Sequence, residues 1–405
     1  MRELPPRMSE KLYHDDYIPD ETLKLRKKFR AFAEKEVFPI AYEFGQRRES
    51  NKNFPMDLFR SMAKKGFFKV PHKKKDGGLG LKYPACAAAT LAEELAYISA
   101  SFSGSVNAHF LLAGVSLAQG SNYIKRNYLT PLMECNAIGS FAMTEPQSGS
   151  DVRSSSLITK ATKTKGGYIV SGQKRYITNA GIADFTATLV DMRGKSCMFV
   201  IDMKQKGVSV SEPDKKLGNR GELTYDIYFD KVRVPKENLI AEEGNGIRIC
   251  LAALMYGRTG IGAAGVGMAQ SAFDESTAFM KKRKAFGKSI SQFQHWQFLM
   301  AERAIEIENA RNLYIKSGRR IDGGEKFPIV ESSGAKFYGS KVSVDMARDA
   351  VQIFGGYGLM VELAHDKSTY KVEEIYRDSK VGEIYEGSNE IHKMVVAREI
   401  FGKDQ

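Results

Sequence analysis

Residues 166–180 read GGYIVSGQKRYITNA. Aromatic and β-branched residues alternate with polar ones between glycines, the pattern of a half-buried strand. Four stretches of the same texture follow: DFTATLVD (184–191), SCMFVIDM (196–203), GVSVSE (207–212) and TYDIYFDKVRVP (224–235). Glycine and Asp/Asn turns separate them, so residues 136–242 predict an antiparallel sheet or barrel.

The flanking sequence is helical. In TLKLRKKFRAFAEKEVFPIA (22–41), Leu25, Phe29 and Phe32 fall at helical spacing, and Pro39 ends or kinks the pattern. CAAATLAEELAYISASFSGSVNAHFLLAGVSLA (86–118) predicts one or two buried helices. DGGLGL (76–81) is a glycine turn before them. Beyond 243 the pattern predicts helices near 245–282, 293–322, 329–354 and 388–401. Strands gathered between two helical zones argue against a doubly wound α/β fold, in which strand and helix alternate. The expected fold is mainly α with a central β domain, divided at 1–135, 136–242 and 243–405.

A chain of 405 residues with 42% apolar and 27% charged residues has the composition of a soluble globular protein. The longest apolar run, around 249–273, is interrupted by Arg258, and the N-terminus lacks the apolar core of a secretory signal. A cytoplasmic location without membrane insertion is expected. Cys86, Cys135, Cys197 and Cys250 are scattered, as suits buried thiols in a reducing compartment, and no metal site is expected. The formal charge of +13 is spread diffusely, with no nucleic-acid-binding signature, so nucleic acid is not an expected partner. The charge suits a solvated surface or attraction of a polyphosphate ligand.

GIGAAG (260–265) matches the dinucleotide fingerprint, but it sits inside a long helical pattern with no strand before it. Close helix packing explains it better. Other stretches place chemistry at element junctions. FAMTEPQSGSDVRS (141–154) combines Thr144, Ser148 and Ser150 with Gly149 and reads equally as a ligand loop or a polar interdomain loop. KRYITNAG (174–181) sets Tyr176 and Thr178 at a strand end. RKAFGKSISQFQ (283–294) offers Arg283 for pyrophosphate, Phe286 for stacking and Gln294 as an amide donor, or else a helix end capped by Gly287. VQIFGGYG (351–358) ends another helix on a glycine pair. EIYEGSNEIH (383–392) carries three glutamates.

These motifs, in this order and together with DGGLGL, KLGNRG (216–221) and FDKVRVPKENLI (229–240), closely resemble the acyl-CoA dehydrogenase family of flavoproteins across nearly the whole chain. The resemblance implies an N-terminal helical domain, a middle antiparallel β barrel and a C-terminal four-helix bundle. It also implies FAD as cofactor, an acyl-CoA substrate, an electron-transfer flavoprotein as electron acceptor, and a homotetramer in which the neighbour completes each cofactor site. Phe141, Met143, Thr144 and Ser150 are then expected along the flavin and the thioester, with Tyr176, Ile177 and Thr178 flanking the ring system. Arg283, Phe286, Gln294, Gln352, Gly355 and Gly356 are expected to hold the diphosphate and adenosine end, continued by Ser388, Asn389 and Glu390. Ser150, Arg258 and Gly387 are expected beside the substrate.

Glu386 occupies the family's commonest position for the base that removes the α proton. A subset of relatives carries the base just before the helix arginine; that position here is Gly257, so Glu386 is the remaining family-consistent base. Two departures stand out. Met255 replaces an acid that grips the CoA pantetheine in many relatives, and the segment LMVELAHDKSTYKVEEI (359–375) looks longer than usual. The expected acyl-pocket wall, YISASFSGSVNAHF (97–110), is rich in small residues and permits a roomy pocket. Two alternatives stay open: a same-fold flavin oxidase or monooxygenase using oxygen directly, and a non-catalytic binding protein that exploits the charge.

Overall fold

The computed structural model describes residues 3–402, apart from 14 and 48. The elements that position the site are α1 (Asp20–Phe32), α2 (Pro84–Ile98), α3 (Ala100–Asn107), β1 (Gly139–Ala142), β2 (Lys160–Thr164), β3 (Gly167–Thr178), β4 (Phe185–Met192), β5 (Lys195–Asp202), β6 (Val208–Val210), β7 (Thr224–Pro235), α4 (Gly246–Lys282), α5 (Gln294–Asp322), α6 (Ile329–Phe354), α7 (Val372–Ser379) and α8 (Asn389–Phe401). A central sheet lies between two groups of helices, as the strand clustering predicts.

Phe29 and Phe32 bury themselves from α1 as their spacing predicts. Pro39 does not end the helix. A π turn at Ala33–Val37 carries the chain on into the helical segment Phe38–Gln46, in which Pro39 is the second residue. The small-residue stretch forms two helices because Ser99 is extended (φ −151°) and its hydroxyl caps α3 at the Phe102 N–H.

The sheet runs β1-β4-β2-β3-β7-β6, with β5 paired to β4. Its longest ladder is antiparallel, from Gly167↔Pro235 to Thr178↔Thr224, broken by bulges at Val170/Gly172 and Lys174/Ile177. The sheet is mostly antiparallel, but β1 pairs with β4 in parallel, and β2 meets β4 through one parallel bridge at Lys160↔Asp191.

The apolar core crosses from helix to sheet. One cluster joins Phe29, Phe59 and Phe102 to Val170 and Ile227; another joins Ala89, Ala92 and Ala96 of α2 to α4, α5 and α6. The decoy glycines lie mid-helix in α4. A Cβ at Gly262 would stand 2.6 Å from the Ala335 carbonyl oxygen, one at Gly265 2.5 Å from that of Gly339, and one at Gly267 2.3 Å from that of Glu93. They let α4 touch α6 and α2 backbone to backbone, which offsets glycine's poor helix propensity. Although α4 is long and apolar enough to cross a membrane, 83% of its apolar window is buried inside this molecule. Gly287 caps no helix: α4 ends at Lys282, and Gly287 turns a small hairpin between Lys284–Ala285 and Lys288–Ser289.

Candidate active site

Glu386 lies between a 3-10 turn at Lys380–Glu383 and α8. Its φ is +53° and that of Gly387 is +96°. A non-glycine residue in the left-handed region is strained and persists only where its surroundings hold it. Here they do. Lys336 of α6 donates to the Gly387 carbonyl at 2.6 Å and to Asn389 Oδ1 at 3.0 Å, and Ser340, one turn along, donates to the same Asn389 oxygen at 3.1 Å. Arg258 Nε donates to the Glu386 carbonyl at 3.4 Å, and His392 Nε2 lies 3.3 Å from that oxygen. Burial, then the charges of Arg258 and Lys336, push His392 down to about 3, so the imidazole is neutral.

The backbone turn aims the Glu386 side chain at α4. Its Oε2 is buried and has no hydrogen-bond partner. A Cβ at Gly257 would stand 2.2 Å from that oxygen and 2.7 Å from Leu112. The carboxyl therefore occupies the space that a side chain at 257 would fill. Burial drives its pKa up to about 8; Arg258 and Lys336 pull it down and Glu222 pushes it up. A carboxyl poised near neutrality, with one oxygen free, is suited to proton abstraction.

A second group gathers at the sheet edge. The Arg175 N–H donates to the Thr144 carbonyl at 2.9 Å, which joins the 141–144 stretch to the end of β3. Beneath it, Lys174 and Glu145 form a fully buried ion pair at 2.8 Å, and Lys174 also donates to the Met143 carbonyl at 3.1 Å. Glu145 accepts the Ile158 and Thr159 N–H groups, so this pair closes the loop carrying Ser150, which is exposed. The bulge in β3 gives Tyr176 a φ of +58° and turns its ring outward, 63% exposed, while Ile177 points into the core. Thr178 donates to Glu222 at 3.0 Å. Phe141 and Thr144 are half-buried and Met143 is buried. A flat exposed ring beside backbone and hydroxyl groups fits a planar cofactor.

A third group stands apart. Arg283, Gly355 and Gly356 line a cleft of 450 Å³ with Phe279, Trp296 and Tyr357, and the Arg283 guanidinium lies 5.7 Å from the Tyr357 ring centre. Phe286 projects from the hairpin, 95% exposed. Gln294 and Gln352 are exposed nearby in sequence but do not line the cleft. Ser388, Asn389 and Glu390 line a separate 300 Å³ cleft with Lys341, Lys380 and Lys393. Ser388 is the residue before α8, so the helix N-terminus opens here, which favours an anionic group. Met255 is buried, and its sulfur accepts from Ser332 of α6. The long segment is exposed at Leu359, Met360 and Val361 and re-enters the core at Val372, where α7, absent from the sequence expectation, begins.

The sequence did not single out Lys336, His392, Glu222, Lys174 or Glu145. Lys336 and Ser340 share a helix face at i,i+4 spacing, but their target lies some fifty residues away.

A buried carboxyl with a free oxygen and an exposed ring at the sheet edge are the arrangement that a flavin-dependent oxidoreductase can use. Comparison with known proteins agrees. The acyl-CoA dehydrogenase N-terminal, middle and C-terminal domain models match residues 19–136, 140–232 and 244–401. A short-chain-specific acyl-CoA dehydrogenase of Clostridium acetobutylicum is 36% identical over 383 residues, covering 93% of this chain and 97% of that protein. A caffeyl-CoA reductase–Etf complex subunit of Acetobacterium woodii is 35% identical over 391 residues, covering 94% and 98%. The solved glutaryl-coenzyme A dehydrogenase–glutaryl-CoA complex superposes with a TM-score of 0.88 at 30% identity, covering 95% of this chain and 96% of that one. The chain belongs to the acyl-CoA dehydrogenase family, and is an FAD-dependent oxidoreductase acting on CH–CH groups.

Proposed function

We propose that this enzyme dehydrogenates an acyl-CoA thioester between its α and β carbons, giving the trans-2-enoyl thioester, with Glu386 as the base. The observation that carries the reading is the buried, unpartnered Glu386 Oε2 over side-chain-free Gly257. Bound FAD supplies the acceptor for the β hydride. Glu386 takes the α proton. Burial raises its affinity for that proton and so narrows the gap to the much weaker acidity of a carbon next to a thioester. Arg258 and Lys336 hold the carboxyl's charge in check and fix the backbone of the loop that carries it. Negative charge developing on the thioester oxygen needs a donor, a role that the family resemblance assigns to the backbone N–H of Glu386.

Phe141, Met143, Thr144, Tyr176, Ile177 and Thr178 form the shelf for the ring system. Ser150 and Gly387 flank the substrate. Arg283, Phe286, Gln294, Gln352, Gly355 and Gly356 serve the diphosphate and adenosine end of a cofactor reaching across to a second copy, with Ser388 and Glu390 on the near side. The separation of the Arg283 cleft from Glu386 and the full exposure of Phe286 support a site completed by a neighbour, in a homotetramer. An electron-transfer flavoprotein is the proposed acceptor, supported by the likeness to the Etf-complex subunit.

The test is Glu386→Gln. It should keep bound FAD, yet lose both flavin bleaching by acyl-CoA and exchange of the α proton with deuterated solvent. Undiminished turnover refutes the assignment.

A further inference from the structure

We propose that His392 is a positioning residue for the base: its ring N–H holds the Glu386 carbonyl and so fixes the backbone turn that aims the Glu386 carboxyl. This rests on the reading of Glu386 as the base. His392 is fully buried, and no step of the reaction uses it.

The helix brings it there. Asn389 opens α8, and the His392 N–H donates to the Ser388 carbonyl at 3.2 Å, closing the first turn. Side chains on a helix lean toward its N-terminus, so a residue in the first turn reaches back over the chain that precedes it. Here that chain is Glu386 and Gly387. A Cβ at Gly387 would stand 3.1 Å from His392 Nε2 and 3.5 Å from its Cε1, so the ring lies against the bare glycine.

Chemistry places the proton on the ring. His392 Nε2 lies 3.3 Å from the Glu386 carbonyl oxygen, and a carbonyl only accepts, so Nε2 carries the hydrogen. Nδ1 then bears the lone pair, buried and without a partner. Burial, then the charges of Arg258 and Lys336, keep a second proton off the ring.

This bond does what the glycine cannot. Gly387 tolerates either sign of φ, so the peptide between Glu386 and Gly387 can turn over at little cost. Turning it over pulls on Glu386, which already sits in the left-handed region at a φ of +53°. Lys336 holds the next carbonyl, that of Gly387, at 2.6 Å. The Glu386 carbonyl is left to Arg258 at 3.4 Å and His392 at 3.3 Å. Without His392 it keeps one long bond, and a buried carbonyl so weakly paired favours rearrangement.

The test compares His392→Met, which fills similar space without a donor, with His392→Gln, which places an N–H about as far from its own Cα. Both residues are good helix formers. The readout is anaerobic flavin bleaching in the FAD-loaded enzyme, using whichever of butyryl-CoA, octanoyl-CoA and glutaryl-CoA bleaches the unaltered protein fastest. A shift of the base by a fraction of about 1 Å is expected to lower the limiting rate of His392→Met about tenfold, with the half-saturating concentration and FAD content unchanged. His392→Gln should regain most of that rate, which mere filling of space would not give. Solid-state nitrogen NMR of the histidine-labelled, unaltered enzyme should show the His392 proton on Nε2; it decides the matter if His392→Met does not fold. A proton on Nδ1, a His392→Met enzyme as fast as the unaltered one, or a His392→Gln enzyme no faster than His392→Met overturns the proposal and leaves Glu386 as the base. Undiminished turnover by Glu386→Gln, or bleaching by none of the three thioesters, overturns the reading beneath it and this proposal with it.

Discussion

Gly257→Ala adds one methyl group where the base now rests. The new Cβ would stand 2.2 Å from Glu386 Oε2, 2.8 Å from Glu386 Cδ and 2.7 Å from Leu112 Cδ2. Ordinary contact begins near 3.4 Å, so the carboxyl must withdraw by about 1.2 Å. Both neighbours are the free ends of flexible side chains, so the fold survives. Alanine's better helix propensity, about 1 kcal/mol, roughly offsets crowding that costs about 1–3 kcal/mol. Catalysis has no such reserve, because a misplacement of about 1 Å typically costs ~100-fold in rate, or ~2.7 kcal/mol of barrier. The expected result is unchanged FAD content, a denaturation midpoint close to that of the unaltered protein, and kcat lowered about 100-fold. Stopped-flow bleaching by a saturating acyl-CoA measures it. A variant that bleaches at the original rate would show that the carboxyl acts from somewhere other than its place over residue 257, and the assignment of base and position falls together.

Other outcomes follow from the same geometry. The rate of proton abstraction should rise with pH through a limb near 8, as Glu386 ionises. The Lys336 ammonium lowers that value, so Lys336→Met should move the limb to higher pH; an unmoved limb refutes the coupling. The folded pKa of Glu386 lies above its ordinary 4.5, so the stability it contributes is present below 4.5 and is lost as pH rises through about 8. Glu386→Gln should therefore melt higher than the unaltered protein at pH 9 and nearly level with it at pH 5, as calorimetry would show. Breaking the Lys174–Glu145 pair with Lys174→Met leaves a buried carboxylate alone and should cost about 3–5 kcal/mol. Pairing it with Glu145→Leu should restore part of that, as denaturant titration with a parallel FAD assay would report.

Much of this molecule is legible in one dimension because its signals are local. Four of the five helices α4–α8 lie within a residue or so of where periodicity and breakers put them, since 3.6-residue spacing and glycine or proline stops act over a few positions, and α7 is the one missed. Strand texture marked the central sheet for the same reason. It did not reveal that β1 runs parallel to β4, because pairing partners are chosen by tertiary packing across more than forty residues. Pro39 read as a stop or kink, yet the packing of Phe29, Phe32 and Phe44 favours continuing through a π turn.

The site divides along the same line. From its own residues and their resemblance to a family, the sequence identified Glu386 and noted the empty position at Gly257. It could not say that the two touch. That contact, the raised proton affinity that burial gives the carboxyl, and the clamp from Lys336 and Arg258 all join segments about fifty residues apart or more. Chemical identity and local conformation are written along the chain. Desolvation, electrostatic coupling and the room left by a missing side chain exist only where distant segments meet.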